Sequence, residues 1–270
     1  MANRRIGNVL RKEWRVIFSD LNSVLLVTLL PVLIIGQALF IIWLIDRFAG
    51  EAIMANPLFQ TALGKLRLAI PAVAGFTAGE QLRVLLLSQL NFYLLLIPTM
   101  IAVSFATFSI VDEKLSGSLE ALLATPVRTW ELLLGKALSG AVPALVITWL
   151  CGGIFIGGVI GLGWGRLVSL LISPAWFISL FLLTPAVAIL SFLLGIIGSS
   201  RAKDAKGAQN MVLFVVLPVL LLIGIQVTGL VWFTPLLTLI LALGLGLVDA
   251  FVLRVAVRLF QRESIVVKWR

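Results

Sequence analysis

Few side chains in this sequence are arranged for recognition or catalysis. Glu113, Gly117 and Glu120 stand at i, i+4 and i+7, so on a helix they form one stripe, with Leu115, Leu119 and Leu122 on the opposite side. Such a stripe suits recognition rather than catalysis. A glycine between two acids lets a partner's backbone come close, and the acids call for a basic partner. Thr125 and Pro126 then carry N-cap and N1 chemistry, predicting a second helix that leads into the next apolar run. Catalytic groups are scarce elsewhere. Histidine, the commonest metal ligand and general base, is absent, and the one cysteine, Cys151, offers neither a disulfide nor a thiolate cluster. The pairs Gly64-Lys65 and Gly135-Lys136 lack both the following Ser or Thr and the earlier glycine of a phosphate-binding loop. Any ATP used would have to be hydrolysed by a separate subunit.

What must position these residues follows from composition. The 270 residues are 61 % hydrophobic and 12 % charged, with a mean hydropathy of +1.14. A soluble domain is about 45–50 % apolar and about 25 % charged, so this chain predicts a polytopic, all-α membrane protein. The net charge of +9 fits basic loops and lipid headgroups better than nucleic acid, which is not expected as a partner.

A span needs about 20 apolar residues. Charge-free intervals of 25, 28, 29 and 34 residues give spans near 23–45, 88–111, 138–162 and 175–198. The 42 uncharged residues between Lys206 and Asp249 are too many for one helix, and Gly229, Thr234 and Pro235 divide them into spans near 211–228 and 233–254. Six spans result. The apolar stretch 68–79 is too short to cross and reads as interfacial or re-entrant.

With the N-terminus cytoplasmic, the inner segments hold 16 of the 21 Lys/Arg, so both termini are expected inside. Residues 1–22 read as an amphipathic helix lying on the membrane surface. Ile6, Val9, Leu10, Trp14 and Ile17 face down, while Arg4, Arg5, Arg11, Lys12 and Arg15 take the remainder. Seven of the eight tryptophans fall near span boundaries, and Trp149 alone lies mid-span.

Within the spans, Gly153, Gly157, Gly161 and Gly165 repeat every fourth residue, which predicts close helix packing within the bundle, or else a dimer seam. Pro98, Pro143, Pro185 and Pro218 are expected to interrupt spans two to five. Asp249 is the one candidate carboxylate for ion coupling, and its position five residues before Arg254 favours an interfacial or structural role.

The loop at 111–126 resembles that of the ABC-2 type transporter permeases, the membrane subunits of many bacterial and archaeal exporters. The matching residues are Glu113, Gly117, Glu120, Leu122, Leu123, Thr125 and Pro126, followed by Gly135 and Lys136. The basic opening Arg11-Lys12-Glu13, the loop Ser200-Arg201-Ala202-Lys203 and the closing Leu259-Phe260-Gln261-Arg262-Glu263 agree with it. The resemblance implies a non-enzymatic permease in the plasma membrane of a prokaryote, paired with a second permease copy as a homodimer or heterodimer. It implies two separate ATPase subunits that hold ATP and Mg, no cofactor being held by this chain itself. The segment 113–124 would be the coupling helix that docks on the ATPase, and the N-terminal helix would be the connecting helix beside it. The external region 46–87 is too short for a large substrate-selecting domain. Two other readings stay open: a membrane enzyme acting on lipids or prenyl chains, and a scaffold without transport.

Overall fold

The computed structural model describes residues 2–19, 21–115, 128–201, 216–226 and 233–259, and among these every regular element is helical. Helix α1 (Ala2–Ser19) leads into α2 (Leu21–Phe48). The region expected to be external is itself helical, with α3 (Pro57–Ala69) and a 3-10 turn (Pro71–Gly75) before α4 (Ala78–Tyr93). Then come α5 (Leu96–Leu115) and the 33-residue α6 (Thr129–Gly161). A short helix (Pro174–Ile178) and a π turn (Ser179–Leu183) precede α7 (Thr184–Arg201). The remaining helices are α8 (Val216–Gln226) and α9 (Pro235–Leu259).

Five stretches are long and apolar enough to cross a membrane: Val27–Phe48, Ala78–Ala106, Thr129–Gly161, Pro174–Gly198 and Pro235–Leu259. They overlap expected spans one, two, three, four and six. The fifth, expected at 211–228, is described only over Val216–Gln226, and the rest of it lies outside the described residues.

The second span and the stretch before it differ from expectation. The second spanning stretch starts at Ala78 rather than 88, and the stretch 68–79 is divided among the end of α3, the 3-10 turn and the start of α4. The helix start expected at Thr125-Pro126 lies outside the described residues, and the helix of the third span is described from Thr129, with Arg128 as its N-cap. Its start is held locally, because Glu131 Oε2 accepts the Arg128 backbone N–H at 3.0 Å. At 1.5 Å per residue α6 is about 50 Å long, against a hydrocarbon core of about 30 Å. Tilt or turns beyond the apolar layer must accommodate the excess.

The prolines act unequally. Pro98 follows a turn at Leu94 and Leu95 that separates α4 from α5. Proline has no N–H for the Leu94 carbonyl, and its ring crowds that group; the Ile97 N–H serves it instead, at 3.3 Å. Pro185 follows the π turn. Pro143, expected to interrupt its span, lies inside the unbroken α6.

Among the described residues, the glycine stripe of α6 packs against nothing: Cβ atoms placed on Gly153, Gly157 or Gly161 would meet no atom within 4 Å. Gly165, expected to extend the stripe, falls beyond the end of α6, at the start of a 3-10 turn (Gly165–Leu167). The reason is angular: Cys151, Phe155 and Val159 form the buried stripe of α6, and two residues on is about 200° round the helix. Close approach occurs elsewhere. A Cβ on Gly195 would lie 2.8 Å from the Ala106 Cβ and 3.4 Å from the Val103 backbone, and one on Gly140 would lie 2.6 Å from the Phe192 ring. These contacts bring α5, α6 and α7 together as the centre of the bundle, around Ile101, Ala106, Ala144 and Phe192.

Asp249, expected in an interfacial or structural role, is buried in α9 at 8 % exposure. Its Oδ1 has no hydrogen-bond partner.

Candidate functional site

The polar residues of this apolar chain converge where α1 lies on the first turns of α6. Arg5, Val9 and Glu13 are four residues apart, so they share one face of α1. Glu131, Gly135 and Ser139 share one face of α6 in the same way, with Lys136 beside them. Contacts run in ascending order along both helices, so the pair is parallel. Arg5 Nη1 lies 3.4 Å from Glu131 Oε2. Next, Gly135 receives Val9: a Cβ there would stand 3.0 Å from the Val9 Cβ and 3.4 Å from the Ile6 carbonyl oxygen. Only the absence of a side chain permits that approach.

One turn further, Lys136 Nζ lies 3.4 Å from Glu13 Oε1, which also accepts from Lys12 Nζ at 3.1 Å. Lys136 is 1 % exposed and Glu13 is 6 % exposed. A charge this far from water persists only when paired. Removing one member of such a pair costs about 3–5 kcal/mol, because the other is left buried and uncompensated.

Trp14 closes the junction. Its Nε1–H donates to the Ser139 carbonyl at 3.0 Å. In an unbroken helix that carbonyl would accept from residue 143, and residue 143 is proline. Mid-span Trp149 does the same further along. Its Nε1–H donates to the Leu180 carbonyl at 3.0 Å, within the π turn. There the Thr184 N–H reaches back to the Ser179 carbonyl, and the π-type donor for Leu180 would be Pro185. Two tryptophans thus fill acceptors that two prolines leave empty.

This corrects the expectation that α1 rests its apolar face on lipid. Ile6, Val9, Leu10 and Trp14 are half-buried against the protein, whereas Val16 and Phe18 are exposed. Of the expected connecting-helix residues, Trp14 and Lys12 join the junction, while Arg11 and Arg15 face outward and are exposed. Sequence reasoning singled out neither Glu13 nor Lys136 as a pair. The available signal was a lysine, Lys136, placed at the head of a long apolar run.

Glu113 lies in the last turn of α5, so the second long helix continues into the start of the expected docking segment. Gly117, Glu120, Leu123, Thr125 and Pro126 lie outside the described residues. At the other end of the bundle, Arg83 Nε bonds Asp46 Oδ1 at 2.7 Å, and its guanidinium sits 5.5 Å from the Trp164 ring centroid. Arg67 Nε donates to Gln81 Oε1 at 2.8 Å. These bonds tie α2, α3 and α4 into a cap. Among the described residues no group of three or more His, Cys, Asp or Glu is placed to hold a metal ion.

No curated protein matches the chain. A family model described as "ABC-2 family transporter protein" matches residues 7–241, from the α1 side of the junction to the second turn of α9. With its apolar spanning helices and the tightly held junction at the head of α6, the chain belongs to the ABC-2 family of transporter proteins, as a membrane-embedded permease.

Proposed function

We propose that the chain is the permease subunit of an ATP-driven exporter in the plasma membrane of a prokaryote. It crosses six times with both termini cytoplasmic, and it works as a pair of copies. Each copy docks on a separate ATPase subunit that binds ATP and Mg. The segment 113–124 is the docking helix, with Glu113 and Glu120 facing basic groups of the ATPase and Gly117 allowing close approach.

The observation that carries this reading is the buried Glu13–Lys136 pair. It ties α1 to the head of α6, the helix into which the chain runs after the docking segment. Force delivered at 113–124 would then reach α6 and α1 as one body. Binding energy from ATP closure would be spent on moving that body rather than on bending a loose joint.

Reversing Glu113 and Glu120 to lysine tests it, with Gly117→Leu as a charge-free companion. Opposing like charges at a buried contact cost several kcal/mol, whereas the same change on a solvated face stays within about 0.5 kcal/mol. The expected result is loss of ATPase capture and of substrate-stimulated ATP hydrolysis, with the permease still inserted. Unaltered coupling in both variants would remove the docking assignment.

A further inference from the structure

A cavity of about 60 Å³ lies at the end of the bundle remote from α1, between α4, α8 and the C-terminal half of α6. Phe155, Trp176 and Phe233 give it apolar walls, while Ser88, Asn91 and Gln226 add hydrogen-bonding groups. Every described residue of its wall is uncharged. Gln226 is 5 % exposed, and its Nε2 donates to the Ser88 carbonyl at 3.3 Å. That bond fixes the amide, because the opposite orientation would set two oxygens against each other. The remaining atom, Oε1, is buried and has no partner.

An amide oxygen buried without a donor is costly in any apolar setting, and one buried among membrane-spanning helices has little water to turn to. A water molecule needs about 10–15 Å³ of such space, and this cavity offers several times that. Its neutral lining disfavours ions, and its unmet need is for a hydrogen.

We propose that this cavity is a binding site for a neutral hydroxyl donor, which gives its hydrogen to Gln226 Oε1. Ordered water and a small alcohol share that chemistry. The site stands on its own residues and does not depend on the transport reading.

Hydroxyl-radical footprinting of the full chain in lipid nanodiscs, in ¹⁸O-labelled water, tests it. Phe155 and Trp176 are shielded from bulk solvent, so their modification reports water inside the cavity. Phe192, equally buried but packed against Gly140, is the dry control. Labelling of Phe155 and Trp176 several-fold above Phe192 is expected, falling toward the control in Gln226→Leu and in the better-matched Gln226→Met. Ethylene glycol, with signals normalised to exposed Trp130, separates the sources. Selective protection of Trp176 means that an alcohol seats there, and no protection means that water is the occupant. Wild-type labelling no higher than Phe192 would overturn the site without recourse to any variant. Undiminished labelling in a folded Gln226 variant would overturn the role of its amide.

Discussion

Trp14 donates its indole N–H to the Ser139 carbonyl oxygen at 3.0 Å, the acceptor that Pro143 leaves without a helical donor. The two helices are thereby joined at the point where one of them has a gap. A proline inside an apolar helix leaves a carbonyl unpaired, and in this chain a side chain from another helix supplies the missing hydrogen.

The first prediction isolates that bond. Trp14→Phe keeps an aromatic ring and removes the donor, so thermal unfolding in detergent should show a loss of about 1–3 kcal/mol. In a Pro143→Ala background the backbone N–H restored at that position serves Ser139, and the same change should cost much less. Equal losses in both backgrounds would show that Trp14 contributes packing alone.

A second double-mutant cycle addresses the buried ion pair. Glu13→Leu or Lys136→Met alone should destabilise by about 3–5 kcal/mol, and the combined variant should recover most of that, since no lone charge is then buried. Additive losses, read from the same unfolding curves, would contradict pairing between the two.

Glycine positions supply a contrast. Gly135→Leu should separate α1 from α6, and Gly195→Leu should force α5 from α7, both lowering the yield of folded protein. Gly157→Leu and Gly161→Leu project into open space and should stay within about 0.5 kcal/mol of wild type for the single chain. Strong destabilisation of the isolated chain by either of the last two would refute the outward placement of that stripe.

Trp149→Phe leaves the Leu180 carbonyl of the π turn without its donor. Hydrogen bonds between helices within a membrane are worth about 0.6 kcal/mol on average and up to about 1.7 kcal/mol, and a loss near the upper figure is expected because proline provides no substitute. Hydrogen exchange should quicken around 180–184 relative to 190–196. An unchanged exchange pattern would mean that the π turn holds without Trp149.

Features that depend on local composition were legible before any helix was placed. Bilayer thickness sets the length of an apolar run, so charge-free intervals located the described spans to within about ten residues, and the Glu113 to Pro126 pattern led to the family. Tertiary structure decided the partners. The α1–α6 junction joins residues 123 to 126 positions apart, and no periodicity within either helix encodes the register between them. Glu13 and Lys136 are each an ordinary charge within a helix until burial makes them depend on each other. The four-residue spacing of Gly153, Gly157, Gly161 and Gly165 was legible, yet neither the face the first three form nor the end of α6 before Gly165 was. Facing is fixed by which stripe of α6 buries more apolar volume, and Cys151, Phe155 and Val159 outcompete the glycines. Nor could spacing reveal that Trp14 and Trp149 answer Pro143 and Pro185, because a carbonyl left vacant in one helix finds its donor only when a second helix packs beside it.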